Sequence, residues 1–119
     1  MADQETRVVR GSFTAPEGTP STPITLIVQV EDVSRADAPS LVVAELRRSG
    51  VRLSPGDEVP FEVDVPAGVI DPKHHYSVRV HVDASGSGNM SRGDLITTQS
   101  YPVLTWGHGT EVRPQLRRI

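Results

Sequence analysis

Cysteine is absent from the 119 residues. That excludes disulfides, thiolate metal sites and a cysteine nucleophile, and it leaves no thiol to carry a lipid. Aromatic residues are scarce: two phenylalanines, two tyrosines and one tryptophan. Lysine occurs once, against eleven arginines. Positive charge is not in excess, with 12 basic and 15 acidic residues and a net charge of −3. The basic field of a nucleic-acid binder is therefore missing, and no nucleic-acid partner is expected. No apolar run approaches the roughly 20 residues a membrane helix needs, so no membrane partner is expected for the chain in this form. The opening MADQETRVVR is acidic and polar, without the basic and apolar regions of a secretion signal. As written, the chain is expected to be cytoplasmic. As a piece of a longer protein, it would be periplasmic or outer-membrane-associated. There is no G-x-S-x-G elbow, phosphate loop or H-E-x-x-H. No catalytic residue, cofactor or metal ligand is assigned, and the protein is not expected to be an enzyme.

Valine is abundant, with 17 copies, and β-branched side chains favour pleated surfaces. Ten glycines and ten prolines punctuate the chain. Between them lie short runs that alternate with period two, the mark of half-buried strands. These are TRVVRGSF (6–13), ITLIVQVED (24–32), EVPFEVDV (58–65) and HYSVRVHVD (75–83). The last has the clearest pattern, with Tyr76, Val78, Val80 and Val82 inward and His75, Ser77, Arg79, His81 and Asp83 outward. Weaker strands are expected over 94–100 and 111–119, the latter broken or at an edge because of Pro114. The segment LVVAELRRS (41–49) fits a helix capped by Asp37 and stopped by Gly50, or a strand. Strand is preferred, since a lone helix would need its own packing surface. The fold class is all-β, a single-domain antiparallel β-sandwich of about seven strands over residues 1–119. Residues 1–5 are expected to be disordered, and 83–94 to form a flexible loop.

An ordered set of segments resembles a known family. They are VQVEDVSRADAP (28–39), VPFEVDV (59–65), IDPKHHYSVRVHVD (70–83), GDL (93–95) and YPVLTWG (101–107). The chain resembles the small bacterial proteins grouped with the YbaY lipoprotein and the YscW type III secretion pilotin. The resemblance spans about 80 residues. It implies an immunoglobulin- or transthyretin-like β-sandwich without enzyme activity and, for the pilotin branch, a chaperone that helps an outer-membrane secretin reach its place. Lipoprotein members carry a signal peptide and a lipidated cysteine, which this sequence lacks. No client-gripping residue is identifiable by motif.

Four local features invite a chemical reading. DVSRADAP (32–39) places Asp32, Ser34, Asp37 and Pro39 after an apolar strand. Short polar side chains that accept backbone N–H groups make this a chain reversal rather than a carboxylate pair for acid–base work. In DASGSGNMSRGD (83–94), Asp83, Ser85, Ser87, Gly88 and Asp94 follow positions 1, 3, 5, 6 and 12 of a calcium loop. Only two of these are charged, the last is shorter than the usual glutamate, and the flanks read as strands. A Gly/Ser hairpin loop is the simpler reading. Of His74, His75, His81 and His108, His75 and His81 share a strand face but lie about 20 Å apart and cannot share a metal. The histidines are expected to be exposed and polar. Trp106 is expected to plug one end of the core, the alternative being an exposed binding anchor. The arginine-rich segments 45–52 and 113–119 read as charge-protected edges.

From these readings, the expected function is a non-enzymatic protein-binding β-sandwich. Its partner is another protein of unknown identity, a secretin-type client by resemblance. The alternative is a sandwich that binds a small ligand or ion through the 83–94 loop or the His108 region.

Overall fold

The computed structural model of the protein describes residues 5–35 and 37–119. It is an all-β sandwich of two sheets, the class expected from the periodicity. Nine strands form among the described residues, several of them very short. They are β1 (Thr6–Thr14), β2 (Ile24–Asp32), β3 (Leu41–Val51), β4 (Glu58–Pro66), β5 (Tyr76–Asp83), β6 (Leu95–Thr97), β7 (Pro102–Val103), β8 (Glu111–Val112) and β9 (Leu116–Arg118). The smaller sheet runs β4-β1-β8, and the larger runs β3-β2-β5-β6-β9 with β7 also on β5. Neighbours pair antiparallel except β8, which pairs parallel with β1. The segment 41–49 lies within β3, so the strand reading holds over the helical one. The run 111–119 is broken at Pro114, which has no N–H to give to a ladder. β6 is shorter than the 94–100 run, and a further two-residue strand, β7, begins at Pro102. Of the five residues expected to be disordered, 1–4 lie outside the described residues, and Glu5 accepts the backbone N–H of Ala67 at 2.9 Å.

The core lies between the sheets. Val9, Phe13, Phe61, Val63 and Val65 from the smaller sheet meet Leu26, Val28, Val30, Tyr76, Val78, Val80 and Val82 from the larger. Each is at most 2% exposed. A fully buried valine contributes about 1.5–3 kcal/mol relative to an exposed one, and alternation places these on the inward faces without further cost in register. Gly11 stands where alternation calls for an inward side chain. A Cβ there would collide with the Val112 carbonyl oxygen and lie 2.9 Å from the Phe61 ring. The bare backbone is what allows β8 to close against β1.

β5 departs from expectation. Its inward residues are buried as predicted, but Ser77, His81 and Asp83 on the outward face are buried too, with Asp83 only 1% exposed. Within 84–101, β6 pairs beside β5, and the segments flanking it bring Asp94 and Ser100 onto that face. Ser77 Oγ accepts the Tyr101 N–H and lies 3.2 Å from Ser100 Oγ, while His81 meets Asp94. A central strand covered on both sides buries polar groups only when they find partners, and these do.

Tyr76 fixes the path of the chain between β4 and β5. Its buried hydroxyl accepts the Asp71 N–H at 2.8 Å and donates to the Val69 carbonyl at 3.2 Å. That anchors the segment carrying His74 and His75 at one end of the sandwich.

Candidate functional site

Three loops converge where the sandwich ends beyond β2 and β5. The first is the turn after β2. Asp32 Oδ1 accepts the Ser34 N–H at 3.0 Å, and Ser34 Oγ accepts the His75 N–H at 2.8 Å. The turn role expected for Asp32 and Ser34 is therefore the observed one. Asp37 is exposed. The second loop is the segment before β5. His74 Nδ1 lies 2.7 Å from Asp32 Oδ2, and His74 Nε2 lies 3.6 Å from Asp71 Oδ2. Burial pushes the Asp32 carboxyl up, but the Ser34 donors and His74 outweigh it and hold Asp32 below the usual carboxylate range. The third loop is 104–109, closed by Leu104 N–H to the Gly109 carbonyl and His108 N–H to the Thr105 carbonyl. Thr105 Oγ donates to the His74 carbonyl at 2.6 Å, tying this loop to the second.

Trp106 stands on that third loop. It is 61% exposed and does not plug the core. Its indole stacks on the His75 imidazole, with centroids 5.0 Å apart and planes inclined by 8°. Its backbone is left-handed, at φ 58°, and Leu104 is at φ 77°. Two such non-glycine residues in one short loop are costly, and they persist only because the surrounding bonds hold them. The buried Leu104 pins the loop down, and the turn that follows lifts the indole out. Val33, whose N–H donates to the His75 carbonyl at 2.9 Å, extends the β2–β5 register by one step and is also exposed. On the adjacent β3, Leu41 pairs with Asp32 and Val42 with Glu31, and both are more than two-fifths exposed. Trp106, Val33, Leu41 and Val42 thus put apolar surface at one end of a sandwich whose other large exposed apolar side chains are scattered. A cavity of 130 Å³ lined by Asp32, Ser34, Arg35, Pro39, Leu41 and His74 opens beside them. A larger groove of 600 Å³ lies elsewhere, beside Gly11 on the smaller sheet. Its rim carries Arg10, Glu62, Glu111 and Arg113, and no exposed aromatic side chain.

The 83–94 loop builds a second cluster. His81, Asp83 and Asp94 bring ligand-type atoms within 4.8 Å of one another, the group of this kind found among the described residues. The carboxylates are already engaged. Asp83 Oδ1 accepts from Ser85 and Gly86 N–H, and Asp83 Oδ2 accepts the Gly88 N–H at 2.7 Å. Asp94 Oδ1 accepts the Ala84 N–H at 2.9 Å, while Oδ2 takes the Ser91 N–H and lies 2.8 Å from His81 Nε2. Burial raises the Asp83 carboxyl, but the Gly88, Gly86 and Ser85 donors and the nearby His81 bring it below the usual range. The spacing in the sequence placed Asp83 and Asp94 at the two ends of one loop. Period two put His81 on the same outward face as Asp83, but it did not show that Asp94 would return to that face and that the group would be buried. His108 is exposed and is not part of this group. The Arg47 and Arg113 guanidiniums from the arginine-rich segments pair with Glu45 and Glu58.

Comparison with known proteins places this geometry in a group. Residues 4–116 match the family described as type III secretion system lipoprotein chaperone (YscW). Among solved structures, an alternative pilotin from the type II secretion system of Vibrio cholerae is similar. It has a TM-score of 0.76 and 25% identity, over 97% of this chain and 98% of that one. A search of curated proteins finds no match. With nearly its whole length matched, the chain belongs to the YscW family of secretion chaperones.

Proposed function

We propose that this protein is a non-enzymatic, pilotin-type chaperone that grips a secretin-type client through the surface around Trp106. The observation that carries this is the indole itself, exposed, stacked on His75 and held on a strained loop. An aromatic side chain already immobilised loses little entropy on binding, which is what a docking anchor requires. Val33, Leu41 and Val42 add apolar surface alongside. Family membership and the similar pilotin support the secretion role. Asp32 and Asp83 also argue against acid–base catalysis. Their carboxyls are pushed down, away from the neutral range that a general acid or base needs. We assign client binding to Trp106, Val33, Leu41 and Val42. No helix among the described residues is long and apolar enough to cross a membrane.

The protein has one tryptophan, so its fluorescence reports this surface alone. Titration with a purified secretin should give a saturable change in emission. Calorimetry with Trp106→Ala should show affinity lower by roughly tenfold or more, the loss typical of a buried aromatic anchor. Saturable binding that leaves the emission unchanged and tolerates Trp106→Ala would move the client site elsewhere.

The second reading, an ion-binding sandwich, draws on the His81–Asp83–Asp94 cluster. A divalent ion there would have to displace backbone N–H donors from both carboxylates. Two carboxylates also supply little charge for a hard ion. Calcium titration is therefore expected to show no binding tighter than about 1 mM, and a tighter site abolished by Asp83→Ala would reinstate the ion reading.

A further inference from the structure

β3 is the outermost strand of the larger sheet, with β2 on one side and no strand on the other among the described residues. The remaining sheet edges are guarded. β4 carries Pro60 and Pro66, which have no N–H, and three acidic side chains, Glu58, Glu62 and Asp64. β8 is two residues long, and β9 is three, two of them arginine. β3 is eleven residues long, has no proline and bears charge of both signs.

Two register shifts divide it. Against β2, the pairing slips between Ile24 and Leu26 and again between Val30 and Glu31, each slip adding one residue to β3. Gly50, at φ 70°, sits in the first bulge. Between the bulges, regular pairing covers Ala44–Arg48 and centres on Leu46. Around that centre the sequence is Glu45-Leu46-Arg47. Glu45 and Arg47 share the outer face and bridge each other at 3.1 Å. Leu46 faces inward opposite Val28 and packs against the core, but it is only half-buried, because no strand covers its side away from β2 among the described residues.

We infer that β3 pairs antiparallel with β3 of a second copy of this chain, with the two-fold axis at Leu46. In that register, Leu46 meets Leu46 of the second copy, and each Glu45 lies opposite the other copy's Arg47. Two opposite-charge cross-strand pairs form at once, and the two leucines cover each other where each now faces water. The bulges stop the pairing after five residues, so the contact closes as an isologous dimer and does not propagate along the edge. Shifting the register by two residues brings like charges or a bulge into opposition, so one register is favoured. The pairing uses residues 44–48 of β3 and leaves Leu41 and Val42, at the client surface, outside it.

Charge exchange tests it directly. By analytical ultracentrifugation, the wild type should dimerise reversibly at or below about 1 mM, the range of a weak specific contact. Glu45→Arg sets arginine against arginine, and Arg47→Glu sets glutamate against glutamate. Each should weaken self-association by at least about tenfold. The double exchange Glu45→Arg/Arg47→Glu should restore it. An equimolar mixture of the two single variants should form heterodimers, since every facing pair is then opposite in charge. Glu45→Arg also removes the bond from Gln29 Nε2 to Glu45 at 2.8 Å. If that variant loses its fold, Arg47→Glu, which keeps this bond, and the double exchange carry the test. A wild type that stays monomeric throughout, or single variants that associate like the wild type, would overturn the inference.

Discussion

The His75 imidazole and the Trp106 indole lie nearly parallel, 5.0 Å apart between centroids, with the tryptophan mostly in water. The stack joins a residue just before β5 to one on a loop more than 25 positions later. It makes an exposed ring a fixed ring. If that ring serves a client rather than the fold, the two roles separate on mutation. Trp106→Gly suits the left-handed backbone and removes little buried area. Its denaturant midpoint should correspond to a stability within about 0.5 kcal/mol of the wild type, while client affinity falls. A stability loss above about 2 kcal/mol would make Trp106 a structural residue.

Asp32 and Asp37 lie in the same turn but in different surroundings. Asp32 accepts the Ser34 N–H and faces His74, while Asp37 is exposed. Asp32→Ala should cost about 0.5–2 kcal/mol, the range of a lost side-chain cap. Asp32→Asn should cost less, since its amide oxygen still accepts from Ser34. Asp37→Ala should change stability by under about 0.5 kcal/mol. Urea midpoints at neutral pH decide this, and an Asp37→Ala loss equal to that of Asp32→Ala would contradict the assignment.

Gly11 occupies an inward position at which any side chain meets Val112 and Phe61. Gly11→Ala should therefore destabilise by about 1–3 kcal/mol, the usual cost of overpacking, despite the better strand propensity of alanine. Hydrogen exchange should show the largest loss of protection at Arg10, whose N–H donates to the Thr110 carbonyl at 2.8 Å. An unchanged midpoint would mean that β8 shifts away without penalty.

Asp83 gives a signed pH dependence. Its carboxyl is lower in the folded protein than in the unfolded chain, because backbone donors hold the charge. The unfolded state therefore takes up the proton first as the pH falls. The stabilisation is complete above the ordinary aspartate range and is lost as the pH drops through about 4 towards the folded value. The stability gap between wild type and Asp83→Asn should stay level from about pH 5 to pH 7 and narrow below about pH 4. A gap that widens in acid would reverse the sign and remove Asp83 from its role as an ionised acceptor.

Much of this was legible in the chain because period two is a local property. Alternation along ITLIVQVED and HYSVRVHVD identified β2 and β5 and their inward faces, since adjacent side chains on a strand must point to opposite sides. Glycine and proline marked where the runs stop, and Pro114 marked the break between β8 and β9. The aspartates bounding the 83–94 loop were visible as a pair. Their partner His81 was not, because alternation tells which residues share a face and not what will cover it. That cover comes from the segments flanking β6, whose return to β5 depends on contacts remote in sequence. The same holds for Trp106. A lone tryptophan suggests a core, and the flanking TWGHG hints at a turn, but its exposure follows from left-handed backbone at residues 104 and 106, held by bonds to Gly109 and His74. The sequence by itself determined which segments are strands and which of their faces are apolar, through local sterics and the burial of valine. Only the tertiary structure decided which polar faces are buried, which edge stays open and where the aromatic anchor stands, because each of these is set by chain segments brought together in space.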